Sequence, residues 1–296
     1  MKFNLICFLI LGLPWVSFAS LNSKPLIHAR SLGGGEIHVA SKNSLEAQHF
    51  NPANLSLNSR FEMGSTYFLT HQGTQFGGSI FDSSMGKEDP DFKDIRISKS
   101  YKLQAGLGYQ YFTSNSQDLE QHQLQLNVAK SLFSWLSLGL SVKTLWGELN
   151  SQSDQSWDSQ IGVLFLLRKN LILGLSVDQI FESSFFQTFQ KNEPLRHYSL
   201  GLSYEFIPNF EFKTEISSFE SQESFKRPEL KVGFENQLNS FFALRFGYAN
   251  RLLSASQSVH AGLSFTGPKL QVHLGTRLNI TQMRWLHGID LNLGLW

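Results

Sequence analysis

The sequence predicts an all-β protein: a transmembrane antiparallel up-and-down β-barrel of about fourteen strands, with a short N-terminal plug in its lumen. Three observations predict it. Apolar and polar side chains alternate with period two in segment after segment. The segments run to ~10–12 residues, enough for a tilted strand to cross a bilayer, whereas soluble strands average about 5–6. The N-terminus has the form of an export leader.

The leader comes first. Residues 1–20 read MKFNLICFLILGLPWVSFAS: one lysine, an apolar run, then Ser17-Phe18-Ala19. A small-x-small site of this kind sets cleavage near Ala19, so residues 1–19 are expected to be a signal peptide. Pro14 and a run shorter than the ~20 residues of a membrane helix argue against an anchor. The one cysteine, Cys7, lies inside this stretch. The remainder therefore has no thiol for catalysis or metal binding. No later run reaches the ~18 apolar residues of a transmembrane helix.

Residues 20–59 do not alternate. The stretch ARSLGGGEIHVASKNSLEAQHFNPANLSL carries a glycine triplet, Gly33, Gly34 and Gly35, and then Asn51-Pro52-Ala53. The glycines permit backbone conformations closed to other residues, and Asn before Pro favours a turn. Apolar groups are too few for this segment to fold alone. It is expected to pack inside the barrel as a plug.

Residues 60–296 form the expected barrel. In RHYSLGLSYEF, Tyr198, Leu200, Leu202, Tyr204 and Phe206 share one face, opposite Ser199, Gly201, Ser203 and Glu205. LKVGFENQL, SVHAGLSF, KLQVHLGTRL and NLILGLSVDQIF behave alike. Strands are expected near 92–100, 103–113, 121–131, 135–149, 155–168, 170–181, 196–206, 209–219, 228–238, 241–251, 256–266, 269–279 and 285–296, with one more in 60–82. Tight turns are expected near 100–102, 132–134, 168–170, 207–209, 239–240 and 267–268. Longer polar connections at 83–91, 114–120, 150–154, 182–195, 220–227, 252–255 and 280–284 are expected at the opposite end. Trp146 and Trp285 would face outward at the outer interface. The inward set includes Lys143, Asp178, Asp290 and the lumen charges Glu205, Glu211, Lys213, Glu215, Lys231, Glu235, Arg245 and Arg277. In lipid each would cost several kcal/mol, which a polar interior avoids. The terminal IDLNLGLW is an apolar alternation ending on an aromatic, of the type that barrel-assembly machinery reads.

Composition narrows the function. The net charge of +1 gives no reason to expect nucleic acid as a partner. Charged residues are 17% of the chain, below the usual ~25%. No pair of the nine histidines has zinc-helix spacing, although His260 and His273, inward on neighbouring strands, could meet. Glu205, Glu211, Glu215 and Glu235 beside Lys213 and Lys231 read as a cross-strand charge ladder rather than paired catalytic carboxylates. No G-x-S-x-G nucleophile elbow occurs. The expectation is a protein that is not an enzyme and has no cofactor. In the loop FESSFFQTF, Phe185, Phe186 and Phe189 are placed to touch a hydrophobic ligand, a partner or lipid.

The run ARSLGGGEIHVASKNSLEAQHFNPANLS resembles the N-terminal segment of barrels related to the FadL long-chain fatty-acid transporter and to PorV/PorQ-type proteins, and more closely the latter. LSLGLSVKTLWGEL, SQIGVLFLLRKNLILGLSVDQ, KVGFENQLNSFFALRFGYAN and HGIDLNLGLW fit in the same order along the chain. The resemblance implies a fourteen-stranded barrel in the bacterial outer membrane with its N-terminal segment in the lumen. It implies passage of small hydrophobic molecules or, alternatively, a non-transporting barrel that assists secretion or surface assembly of a protein partner. The outer loops are shorter than a FadL-type capture groove requires. An open aqueous porin fits least, because of the expected plug.

Overall fold

The computed structural model describes residues 28–42, 45, 48–57, 61–69, 73–82, 103–114, 118–181, 196–221, 224–252 and 256–295. Fourteen strands form the wall. They are β1 (Phe61–Leu69), β2 (Gly73–Asp82), β3 (Gln104–Ser114), β4 (Leu119–Phe133) and β5 (Leu136–Leu149). Next come β6 (Gln152–Arg168), β7 (Leu171–Asp178), β8 (His197–Ile207), β9 (Phe210–Ser221) and β10 (Ser224–Gln237). The last four are β11 (Phe242–Arg251), β12 (Ser256–Thr266), β13 (Leu270–Asn279) and β14 (Arg284–Leu295). Each pairs antiparallel with its sequence neighbours, and β1 pairs with β14 from Phe61↔Leu295 to Leu69↔His287. The cylinder is closed and has no open edge.

Side-chain chemistry is inverted relative to a soluble domain. On β4 and β5 the outward Leu126, Leu138, Leu140 and Val142 are exposed, while the inward Gln125, Asn127, Ser137 and Ser141 are all 0% exposed. That is the alternation a wall between hydrocarbon and a polar interior demands. Aromatic belts flank the apolar band. At the rim far from the strand termini Phe61 and Leu295, His122 stacks on Trp146 at 5.2 Å and hydrogen-bonds the Tyr109 hydroxyl at 2.8 Å. Trp285 stacks on His287 there at 5.8 Å. The near rim carries Phe133–Trp135, Phe206–Phe210 and Phe242–Phe265 contacts. Amphipathic rings favour such interfacial depths.

The structure corrects the sequence reading in two places. Residues 60–82 are not one strand but the hairpin β1–β2, with β1 ending at Leu69 and β2 starting at Gly73. The expected strand at 92–100 lies outside the described residues, and β2 pairs directly with β3, so the fourteen are complete without it. The end assignment changes as well. Asp82 and Gln104 both lie at the near rim, so the 83–103 connection leaves from the end with the tight turns. The β5–β6 turn, by contrast, is only Asn150-Ser151, both at positive φ. Register shifts at Ser131/Phe133, Leu166/Arg168 and Glu205/Ile207 sit beside near-rim turns, where bulges end pairing without exposing the wall. Pro228, with no N–H to give, falls in the shift between Lys226 and Glu229.

Leu140 lies in the apolar band, 44% exposed. Leu140→Arg should cost about 2–4 kcal/mol, the penalty of a cation near the bilayer midplane. Urea unfolding from lipid vesicles measures it.

Candidate functional site

The described part of residues 28–57 runs round the inside of the barrel. A short helix, α1 (Ala29–Gly33), packs against β11 to β14 and β1. The chain then passes β10, β8 and β7, and a 3₁₀ turn at Pro52–Leu57 packs against β3 to β6. Ala29, Leu32, Asn51, Ala53, Asn54 and Leu55 are all 0% exposed.

Glycines on the wall make this fit possible. They stand directly opposite one another on adjacent strands: Gly139↔Gly162, Gly174↔Gly201, Gly233↔Gly247 and Gly262↔Gly275. Each pair is a patch of bare backbone, and the inner segment presses its own backbone onto it. Gly33 sits on Gly262, where a Cβ would stand 2.8 Å from the Gly33 Cα. Gly34 and Gly35 sit on Gly233 and Gly247, Val39 and Ala40 on Gly174 and Gly201, and Asn51 to Ala53 on Gly139 and Gly162. Gly35 also needs its φ of +90°, which Glu36 follows at +57°. The glycine triplet is thus required twice, for close approach and for a left-handed turn.

Asn51 fixes the return of the chain. Its amide donates to the Val39 carbonyl at 2.8 Å and the Val163 carbonyl at 3.2 Å, while its Oδ1 accepts the Ala53 N–H at 3.1 Å. Pro52 then opens the 3₁₀ turn. One residue is bonded to another part of the inner segment and to the wall together.

Polar contacts hold the remainder. Glu215 accepts the backbone N–H groups of His38 at 2.8 Å and Val39 at 3.1 Å, and pairs with Lys231 at 2.9 Å. Lys231 also donates to the Glu36 carbonyl at 3.0 Å. Glu235 receives Arg30 at 2.9 Å, Arg245 at 3.0 Å and Lys213 at 3.1 Å. Glu36 pairs with Arg277, and Lys42 with Glu205 at 2.7 Å and Glu211 at 3.7 Å. Asp290 accepts the Arg30 N–H at 3.0 Å and the Thr66 hydroxyl. A cavity of about 10 Å³ among Arg30, Ser31, Gly34, Lys213, Glu235 and Arg245 has room for about one water.

The eight lumen charges named from the sequence all face inward and all take part in this network. The ladder reading is right in part. Lys231–Glu215, Lys213–Glu235 and Arg245–Glu235 do cross between strands, yet Arg30, Glu36 and Lys42 of the inner segment supply the other half. His260 and His273 do not meet. His260 bonds the Leu32 carbonyl at 2.8 Å, and His273 pairs across from Ser264. No group of three or more His, Cys, Asp or Glu that could hold a metal occurs among the described residues. Phe185, Phe186 and Phe189 lie outside them. Sequence reasoning missed the segment charges and the glycine seats. Their signal was glycines recurring on the polar face of successive strands.

The structure superposes on solved bacterial outer-membrane proteins. The toluene transporter TodX of Pseudomonas putida matches with a TM-score of 0.65 at 14% identity, over 90% of this chain and 96% of that one. The toluene transporter TbuX of Ralstonia pickettii matches at 0.63 and 10%, over 92% and 98%. A Pseudomonas aeruginosa FadL homologue matches at 0.59 and 10%, over 91% and 98%. The fold is that of the FadL-type outer-membrane barrels. No protein-family model and no curated protein matches the sequence. The expected leaning towards PorV/PorQ-type members is not carried by these FadL-type neighbours.

Two predictions follow from the seats and the network. Gly174→Val drives a side chain into the Val39 carbonyl and should free the segment to trypsin at Arg30 and Lys42, whereas Gly294→Val, with nothing within 4 Å, should not. Glu215→Ala strands a buried lysine and two N–H groups, and should cost about 3–5 kcal/mol in chemical unfolding.

Proposed function

We propose that this chain resides in a bacterial outer membrane and passes small hydrophobic molecules across it, with the inner segment as the movable obstruction of its lumen. The observation that carries the reading is the seating of that segment. It is held by backbone contact on glycine pairs and by ion pairs, with no covalent tie among the described residues and no interlocking of large side chains at the seats. Such a contact can be exchanged for water or solute. The neighbours supply the solute class, because TodX and TbuX are toluene transporters. In this reading the near rim faces the periplasm, residues 1–19 direct export, residues 20–59 are the plug, and the terminal alternation addresses the assembly machinery. Phe185, Phe186 and Phe189 are proposed to meet the solute at the mouth.

A second reading has one observation in its favour. The described residues around the segment are largely polar, and the cavity of about 10 Å³ beside Arg30 and Glu235 is too small for a hydrocarbon. A barrel that stays shut and presents a surface to a secreted protein would look the same at rest. Uptake of radiolabelled toluene by cells expressing the full chain separates the two. Transport requires uptake above that of cells lacking the chain, and deletion of residues 28–57 should admit polar solutes. Uptake at background, with a protein retained stoichiometrically through gentle extraction, establishes the second reading.

A further inference from the structure

The inner segment runs nearly round the lumen, and at His49 it comes back to its start at His28. It begins at β14 and β1, where His28 lies beside Asp290, and passes the wall in descending strand order to β7. It then crosses to β2 and β3, where His49 bonds Ser79 at 2.8 Å and abuts Gly108. There the His28 and His49 rings stack, 5.3 Å apart and 28° from parallel. This closure falls beside the barrel's own seam, where the first strand meets the last.

We infer that the His28–His49 stack is an acid-released latch, which keeps the segment seated while both imidazoles are neutral and frees it when they are protonated. The inference rests on the reading of the segment as a movable obstruction and adds its regulation.

The surroundings explain why charge is not tolerated there. His28 is 5% exposed and His49 1%. Neutral groups face His49 from three strands: Ser79 from β2, Gln110 from β3 at 3.2 Å and Gln125 from β4 at 3.1 Å. Lys143 on β5 repels a proton there. His28 Nε2 has no hydrogen-bond partner among the described residues. Arg30 and His38 of the segment and His273 of β13 lie around it, none of them able to favour a further proton. Asp290 would favour it. Its carboxylate stands 4.0 Å from His28 Nδ1, too far for a hydrogen bond, and already accepts from Arg30 N–H and Thr66. Two imidazolium rings at stacking distance would also repel each other.

Burial holds both His28 and His49 down to about 3 from the usual 6.5. The sign is then fixed. The seated segment binds fewer protons than the released one, so seating is favoured above pH ~6.5 and weakens as pH falls towards the depressed value. One such histidine shifts the equilibrium about a hundredfold towards release between pH ~7.5 and pH ~4.5.

The test uses the full chain in lipid vesicles, with Cys7→Ser and a reporter Ser41→Cys at a site 4% exposed. A membrane-impermeant maleimide labels it at both pH values. Rates are divided by those of Ser240→Cys, an exposed turn position that corrects for thiolate content. Two such histidines multiply, so the expected result is a relative labelling rate higher by about ten-thousandfold at the lower pH, falling to about a hundredfold in His28→Phe or His49→Phe, each of which keeps a ring without a proton. A flat ratio in the parent chain overturns the latch, and so does a full response retained in both variants. If labelling responds while toluene uptake does not, the latch stands and the obstruction reading falls.

Discussion

Closure of the wall is the constraint behind every other feature. In hydrocarbon an unpaired peptide group costs several kcal/mol, so a sheet can cross only as a cylinder in which β1 finds β14. Once closed, the cylinder has two solvents. The outer face must be apolar, as Leu126, Leu138 and Leu140 are, and the inner face must find polar partners for Gln125, Asn127 and Glu215. A soluble sandwich with this period-two pattern would bury the leucines instead. The burial inversion, more than the strand count, distinguishes the two.

An inner face crowded with charge poses a second problem, and the N-terminal segment answers it. Glu215 and Glu235 would stand close to other carboxylates on β8 to β10 if only the wall were present. Arg30 reaches Glu235, the N–H groups of His38 and Val39 reach Glu215, and Lys42 reaches Glu205 and Glu211. Such buried pairs contribute little net stability, because desolvation offsets most of the attraction. Their effect is on specificity. Each charged side chain accepts one register of the segment, and a slip of one residue would separate Glu36 from Arg277 and Lys42 from Glu205 together.

Much of this was legible in the chain. Period two sets strand direction and face, so the inward charges that the sequence reading named do face inward, while Glu62, Asp158 and Glu229, also buried on the inner face, were not named. The hairpin at 60–82 was not legible, because β1 and β2 are rich in Gly, Ser and Thr and dilute the alternation on both sides of Gln72-Gly73. The near-rim position of the 83–103 connection followed from the same error, since one missed strand exchanges the two ends. The glycine seats were visible only as composition. Pairing Gly174 with Gly201 or Gly233 with Gly247 requires the register of strands, which turn geometry fixes and residue type does not. The partners of Arg30, Glu36 and Lys42 are separated from them by more than 160 residues of chain, beyond any local pattern.

The interior chemistry also constrains how a hydrophobic solute could travel. A path lined by ion pairs is as hostile to a hydrocarbon as lipid is to the ion pairs. Opening the lumen by small adjustments would expose Glu235, Arg245 and Lys213 without offering an apolar surface. Movement of the segment as a body is different. It would uncover the glycine pairs, whose bare backbone is flat and nearly neutral, beside the buried Leu164, Ile172 and Ala243. The glycine pairs that let the barrel close around its own N-terminal segment lie on four different strand pairs, so they form a belt around the inner wall, and a shift of the segment as a body would bare all of it together.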